Sequence, residues 1–384
     1  MTITYPKGFT AAGIAAGIKA SGKPDLALVV NAGPLDVAAG VFTSNRVKAA
    51  PVLWSQQAIK DGRLKAVILN SGGANACTGP EGFGDTHHTA EKVGEVLSIG
   101  AGEVAVCSTG LIGERLPMDK LLPGIADVIA QLSHDGGPAA AEAICTTDTV
   151  SKQEVFTNPD GWSIGGMAKG AGMLAPGLAT MLVVLTTDAV LDAATADAAL
   201  RRVTSQTFDR LDSDGCMSTN DTVLLLASGA SGITPDPDDF WGGLYQVCRN
   251  LSDKLLADAE GATKEITIGV DGAATEQDAV EVGRAIARNN LLKCALFGND
   301  PNWGRVLAAI GTTSAVFEPD QLDVSMNGVQ ICRGGAPGED RGLVDLSGRL
   351  VNIHVNLNAG HAGAVIWTND LSHAYVEENS AYSS

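Results

Sequence analysis

A threonine at the junction of a glycine-rich stretch and an apolar run can carry out an unusual reaction. Residues 165–185 read GGMAKGAGMLAPGLATMLVVL, with Thr180 at the head of the apolar part and small Ala179 before it. The Thr180 hydroxyl can attack the preceding carbonyl, moving the acyl group from nitrogen to oxygen. Hydrolysis of that ester leaves a threonine whose own α-amine, with an unperturbed pKa of about 7.7–8.0, is a built-in general base. A threonine opening a strand is ordinarily just a β-branched strand residue, so placement alone does not establish the chemistry.

Cys107–Gly113, CSTGLIG, follows an apolar run. A Ser-Thr-Gly turn there can aim a backbone N–H and a hydroxyl at a developing oxyanion, or it can be an ordinary glycine turn. Asn70–Gly79, NSGGANACTG, is glycine-rich but has neither the lysine nor the spaced glycines of the usual phosphate loops, so a nucleotide site is a poor reading. Asp209, Asp212 and Asp214 near Gly215 suggest a calcium loop, yet the twelfth position from Asp212 is Val223 where a glutamate is required. A polar turn before a strand is the better reading. The six histidines form no HExxH pattern, and no GxSxG elbow occurs. No metal and no cofactor are therefore expected.

These groups must be positioned by the elements around them. Apolar runs at Leu26–Val30, Ala66–Leu69, Val104–Cys107, Met181–Leu185, Val223–Ala227 and Ala364–Trp367 predict buried strands. Lys264–Val270 and Val351–Leu357 alternate apolar and polar residues, as half-buried strands do. Helices are predicted over Thr195–Ser205, with Asp192 as a cap, and over Asp239–Ala259 and Glu276–Asn289. Gly229–Asp239, with two prolines, predicts a surface loop. The mixture implies an α/β or α+β protein, with no regular βαβ spacing.

Bulk properties narrow the function further. The chain of 384 residues carries a net charge of −18, so a nucleic acid partner is excluded on electrostatic grounds. The seven cysteines are scattered singly, which argues against a disulfide framework or zinc ribbon and for a reducing cytoplasm. The first eight residues lack a secretory pattern, and no apolar stretch is long enough to span a bilayer.

Taken together, the segments resemble the ornithine acetyltransferases, also called glutamate N-acetyltransferases. The resemblance spans nearly the whole chain. It includes GFTAAGIAAGIK at Gly8–Lys19, NSGGANACTG, CSTGLIG, TTDT at Thr146–Thr149 and KGAGMLAPGLATML at Lys169–Leu182. It continues through STNDT at Ser218–Thr222, DAEGATK at Asp258–Lys264, GNDPNWGR at Gly298–Arg305 and the tail Asp370–Ser384.

The resemblance implies a layered α/β sandwich, two central β-layers flanked by helices, over residues 1–265, with a smaller C-terminal α/β domain over 266–384. It implies self-cleavage between Ala179 and Thr180 into an α chain, 1–179, and a β chain, 180–384. Thr180 then becomes the nucleophile, and Thr109 and Gly110 the oxyanion hole. Substrate contacts fall on Lys169, Thr180, Glu260, Asn379, Ser384 and a threonine of the TTDT segment, placed at Thr146 with Thr147 as the alternative. The implied reaction moves an acetyl group from N2-acetylornithine to glutamate without a cofactor. Whether acetyl-CoA is a second donor stays open. The implied assembly is an α2β2 heterotetramer in the cytoplasm. An aminopeptidase of similar fold and a non-catalytic small-molecule binder are the rival readings.

Overall fold

The computed structural model describes residues 2–173 and 181–381. Among these the strands are β1 Phe9–Ile14, β2 Leu26–Asn31, β3 Val37–Phe42, β4 Ala66–Ser71, β5 Val104–Thr109, β6 Lys152–Thr157, β7 Ser163–Lys169, β8 Leu182–Thr187, β9 Thr222–Ala227, β10 Glu265–Ala273, β11 Asp323–Met326, β12 Val329–Arg333, β13 Ala336–Pro337, β14 Leu350–Asn356 and β15 Ala362–Asn369. The helices are α1 Ala50–Ala58, α2 Gly79–Leu97, α3 Met118–Ala130, α4 Gly137–Ala143, α5 Ala193–Thr204, α6 Pro237–Ala257, α7 Glu276–Ala287, α8 Asn290–Phe297, α9 Trp303–Ile310 and α10 His373–Ala381.

The apolar runs are strands because each has two faces to bury, and successive side chains point to opposite faces. In β2, Ala27 and Val29 face one hydrophobic cluster while Leu26 and Leu28 face another. In β9, Leu224 and Leu226 join the first of these, and Val223, Leu225 and Ala227 join a third. The shared cluster lies between two sheets: a four-stranded one, β1-β2-β4-β5, and a five-stranded one, β3-β9-β8-β7-β6. The outer face of the first sheet packs on α2 and α3 through Ala90, Val93, Leu121 and Ile125. The outer face of the second packs on α5 and α6 through Leu200, Val203, Leu244 and Leu251. The result is the layered α/β sandwich with two central β-layers.

A third sheet, β13-β12-β11-β14-β10-β15, is built from strands between residues 265 and 369. It has its own hydrophobic cluster with α7, α8 and α9, including Ile268, Ile353, Ile286, Leu296 and Val306. The alternation read in Lys264–Val270 is met in β10, where Ile266, Ile268 and Val270 are buried.

Some boundaries differ from the sequence reading. The helix expected to begin at Asp239 begins at Pro237, because Asp236 accepts hydrogen bonds from the N–H groups of Asp238 and Asp239 and Pro237 fills the first helical position. Two βαβ units also occur, β4–α2–β5 and β8–α5–β9, each joining parallel neighbours. The glycines and histidines of α2 interrupt the apolar period that would have revealed the first. The Asp192 cap is present, accepting from Thr195 N–H at 2.7 Å. Among the described residues, no helix is long and apolar enough to cross a membrane.

The sheets bring three strand ends to one edge. Lys169 ends β7 and pairs in register with Leu182 at the start of β8, which in turn pairs with Thr222 at the start of β9. Truncating the inter-sheet core should weaken the whole assembly: Leu224→Ala, fully buried, is expected to cost about 2–5 kcal/mol. An unchanged denaturation midpoint for that variant would contradict the assigned packing.

Candidate active site

Lys169 is the last residue of β7 and is 2% exposed. Its Nζ donates to Thr146 Oγ1 at 2.6 Å and to Thr109 Oγ1 at 3.3 Å, and lies 3.6 Å from Asp148 Oδ2. A buried ammonium requires such partners, since desolvation without them is prohibitive. Because the lysine occupies a lone pair of Thr109 Oγ1, the threonine's own O–H is left to donate elsewhere.

Asp148 is the hub. It accepts from Lys152 Nζ at 2.6 Å, from Gly170 N–H at 2.6 Å and from Thr146 N–H at 3.0 Å. Lys152, itself fully buried, also bonds Asp258 Oδ2 at 2.6 Å. Burial pushes the Asp148 carboxyl upward, but the charges of Lys169 and Lys152 and the hydrogen bonds outweigh it, holding the group well below the usual carboxylate range.

Thr109 ends β5, and Gly110 turns the chain away with φ of +130°. A Cβ at Gly110 would stand 2.5 Å from the backbone nitrogen of Gly73, so only glycine fits. The Asn70–Gly79 loop lies against this turn. Gly73 N–H donates to Thr109 O, Ala74 N–H to Leu111 O, and Gly113 N–H to Ala76 O. A helix, α2, does start at Gly79, yet the loop serves to brace the Thr109–Gly110 turn. Asn70 accepts from Ser108 Oγ at 2.6 Å, and Asn220 Nδ2 donates to both Ala74 O and Ser108 O. The segment Asp212–Thr222 is exposed only around Gly215 and Cys216: Asp212, Asn220 and Asp221 are buried, and Asn220 ties two loops together.

These elements enclose a cavity of about 160 Å³. Thr109, Gly110, Thr146, Thr147, Lys169, Glu260 and Asn379 all line it. Of the two TTDT threonines, Thr146 holds the lysine. Glu260 is 7% exposed and stands beside Gly172, where a Cβ would lie 2.6 Å from its carboxylate. Gly261, with φ of +59°, lets α10 approach, since a Cβ there would meet Tyr375 N at 2.1 Å. That approach brings Tyr375 and Asn379 to the cavity. Burial, with the charges of Asp214 and Glu260, pushes the Tyr375 phenol up to about 12. The lining of the cavity therefore includes the ammonium of Lys169 and the carboxyl groups of Glu260 and Asp214. Ala179, Thr180 and Ser384 lie outside the described residues.

Asp148, Asn220 and Tyr375 were not singled out from the sequence, and Asp214 entered there only as part of a possible calcium loop. Asp148 sits in the TTDT segment and Asn220 in STNDT, so the motifs held the signal; their roles needed the partners. A partly open cavity with several convergent polar and charged side chains, at strand ends of a layered α/β fold, fits an enzyme acting on small molecules.

The ArgJ family profile matches residues 10–384. The chain is 67% identical to the arginine biosynthesis bifunctional protein ArgJ of Streptomyces coelicolor over 384 residues, all of both chains. It is 60% identical to the protein of the same name from Mycobacterium leprae over 389 residues, all of this chain and 96% of the relative. A crystal structure of an ornithine acetyltransferase complexed with ornithine, from Mycobacterium tuberculosis, is 65% identical and covers 46% of this chain and 94% of its own, with a TM-score of 0.45. The chain belongs to the ArgJ family.

Because the native pKa of Asp148 lies below the unfolded value of about 3.9, its ionised form contributes stability above that pH, and the contribution is lost as pH falls toward the native value. Asp148→Asn should cost about 3–5 kcal/mol at neutral pH by leaving buried lysines undercompensated. The gap from wild type should hold down to about pH 5 and narrow below about pH 4. Denaturation at stepped pH checks this, and a gap that widens on acidification would contradict it.

Proposed function

We propose that this chain transfers an acetyl group from N2-acetyl-L-ornithine to L-glutamate, giving L-ornithine and N-acetyl-L-glutamate, through an acetyl ester on Thr180. The observation that carries this reading is the convergence of Lys169, Thr146, Thr109, Gly110, Glu260 and Asn379 on one cavity, in a chain of the ArgJ family. The relatives' names place them in arginine biosynthesis, and the Mycobacterium tuberculosis structure is of an ornithine complex. The word "bifunctional" in those names supports a second activity, N-acetylglutamate synthesis from acetyl-CoA.

The proposed activation is a self-cut. Thr180 Oγ bonds to the carbonyl carbon of Ala179, the bond from that carbon to the Thr180 nitrogen breaks, and the hydroxyl proton passes to the nitrogen. Water then splits the ester, leaving a carboxylate on Ala179 and a hydroxyl and amine on Thr180. In transfer, Oγ attacks the acetyl carbonyl while the α-amine takes its proton. Thr109 O–H and Gly110 N–H donate to the oxyanion. The amine of ornithine leaves with the proton, and glutamate's amine attacks the acetyl ester in the reverse sequence. Lys169 suits an α-carboxylate, Glu260 and Asn379 suit the δ-ammonium of ornithine, and Ser384 is a further substrate contact.

The same reading extends to organisation. The separate core of the third sheet supports a division into 1–265 and 266–384. The products 1–179 and 180–384 remain one molecule, paired as α2β2, and act on small molecules in the cytoplasm, away from nucleic acid and membrane. The net charge of −18 supports the exclusion of nucleic acid.

Denatured mass spectrometry tests the nucleophile. Wild type should give fragments 1–179 and 180–384, and Thr180→Ala one uncut chain. With N2-acetylornithine and no acceptor, the larger fragment should gain one acetyl group. An intact wild-type chain, or no acetylated fragment, would remove the reading. Thr109→Val should lower kcat by about 10²–10³-fold with little change in KM, measured as steady-state acetyl transfer. An unaltered kcat would take Thr109 out of the oxyanion hole.

A further inference from the structure

Asp221 is fully buried at the turn into β9. One carboxyl oxygen, Oδ1, accepts from the Met181 N–H at 3.1 Å. The other, Oδ2, has no hydrogen-bond partner among the described residues. A buried carboxyl oxygen without a partner is costly, and such groups call for an explanation. Its backbone is locked on both sides: Thr43 N–H donates to Asp221 O, and Thr222 N–H to Met181 O.

Met181 follows Thr180 directly. Adjacent Cα atoms are only about 3.8 Å apart, so a carboxyl bonded to the nitrogen of residue 181 is within one residue of the nitrogen of residue 180. We propose that Asp221 is a positioning residue for the chemistry at residue 180: Oδ1 pins the Met181 peptide, and Oδ2 takes the amino group released when the bond between 179 and 180 is cut. The assignment rests on the Thr180 reading above.

This explains why a fully buried acid stands at this turn with no ion pair among the described residues. Lys169 and Asp209 are the charged groups whose fields reach Asp221, and they act in opposite directions. Burial pushes its carboxyl well above the usual range, with hydrogen bonding from the Met181 N–H and the Ser218 hydroxyl opposing. In the uncut chain burial thus favours the neutral form of the acid. A new ammonium beside it would supply the missing partner, ionising the acid and holding the Thr180 nitrogen beside its own hydroxyl.

Asp221→Asn keeps an acceptor for Met181 but has no charge to offer an amine. The variant should fold with an unchanged unfolding temperature. Self-cutting, followed by denatured mass, should slow on the order of 100-fold. In whatever fraction is cut, kcat should fall with KM unchanged and the acid limb of its pH profile displaced, while Asp221→Glu should restore part of the rate. An Asp221→Asn variant cut and active like wild type, with the same pH profile, would overturn the assignment and leave the Thr180 reading standing. A wild-type chain that is never cut would overturn both.

If Asp221→Asn does not fold, the infrared difference between Thr180→Ala and wild type decides. Recorded well above pH 6, near which Asp209 and Asp212 titrate, the uncut variant should show a protonated-carboxyl C=O band that the cut enzyme lacks. The absence of that band from the difference would overturn the assignment.

Discussion

Asp148 gathers two buried lysines and two backbone N–H groups around one carboxylate. Without it, Lys169 would face the cavity as an uncompensated charge, a state that costs more than most single contacts supply. With it, the buried lysine has a partner of opposite charge and can fix the hydroxyls of Thr146 and Thr109. The cost of ordering this cluster is borne by the strands on either side, β6 carrying Lys152 and β7 carrying Lys169. Electrostatics in the cavity therefore follow from two strand ends together with the loop that carries Thr146 and Asp148.

A second constraint is the bracing of the Thr109–Gly110 turn. An oxyanion site works only if its donors are already aimed before charge develops. Here three loops are sewn together by backbone pairs and by the amides of Asn70 and Asn220. Gly110 takes a conformation closed to other residues, and the neighbouring loop fills the space that its side chain would have needed. Preorganisation is thus distributed over segments more than a hundred residues apart in sequence.

The strand order bears on how a chain could be cut and stay whole. The five-stranded sheet runs β3-β9-β8-β7-β6. Strands from before residue 180 flank β8 and β9 on both sides, so the two parts are joined by the β7–β8 and β3–β9 ladders. The inter-sheet core adds side chains from both parts, Met167 and Leu69 against Leu182 and Leu224. A break between β7 and β8 severs none of these contacts.

The sequence alone determined the strands whose apolar runs are long and unbroken, β2, β4, β5, β8 and β9, because burial on both faces leaves a continuous hydrophobic signature. It determined the cap at Asp192 and the alternation in β10, which depend on neighbours along the chain. Its motifs pointed to Thr109, Gly110, Thr146, Lys169, Glu260 and Asn379. The weak or polar elements were not legible: β1, β3 and β7 are rich in alanine or glycine, and α2 carries two histidines and four glycines. The tertiary structure alone decided that Asp148 is the hub, that Asn220 ties the loops, and that Asp221 faces the peptide of Met181. Those facts are pairings between distant residues, and no local pattern of hydrophobicity or spacing encodes which buried polar group will meet which partner.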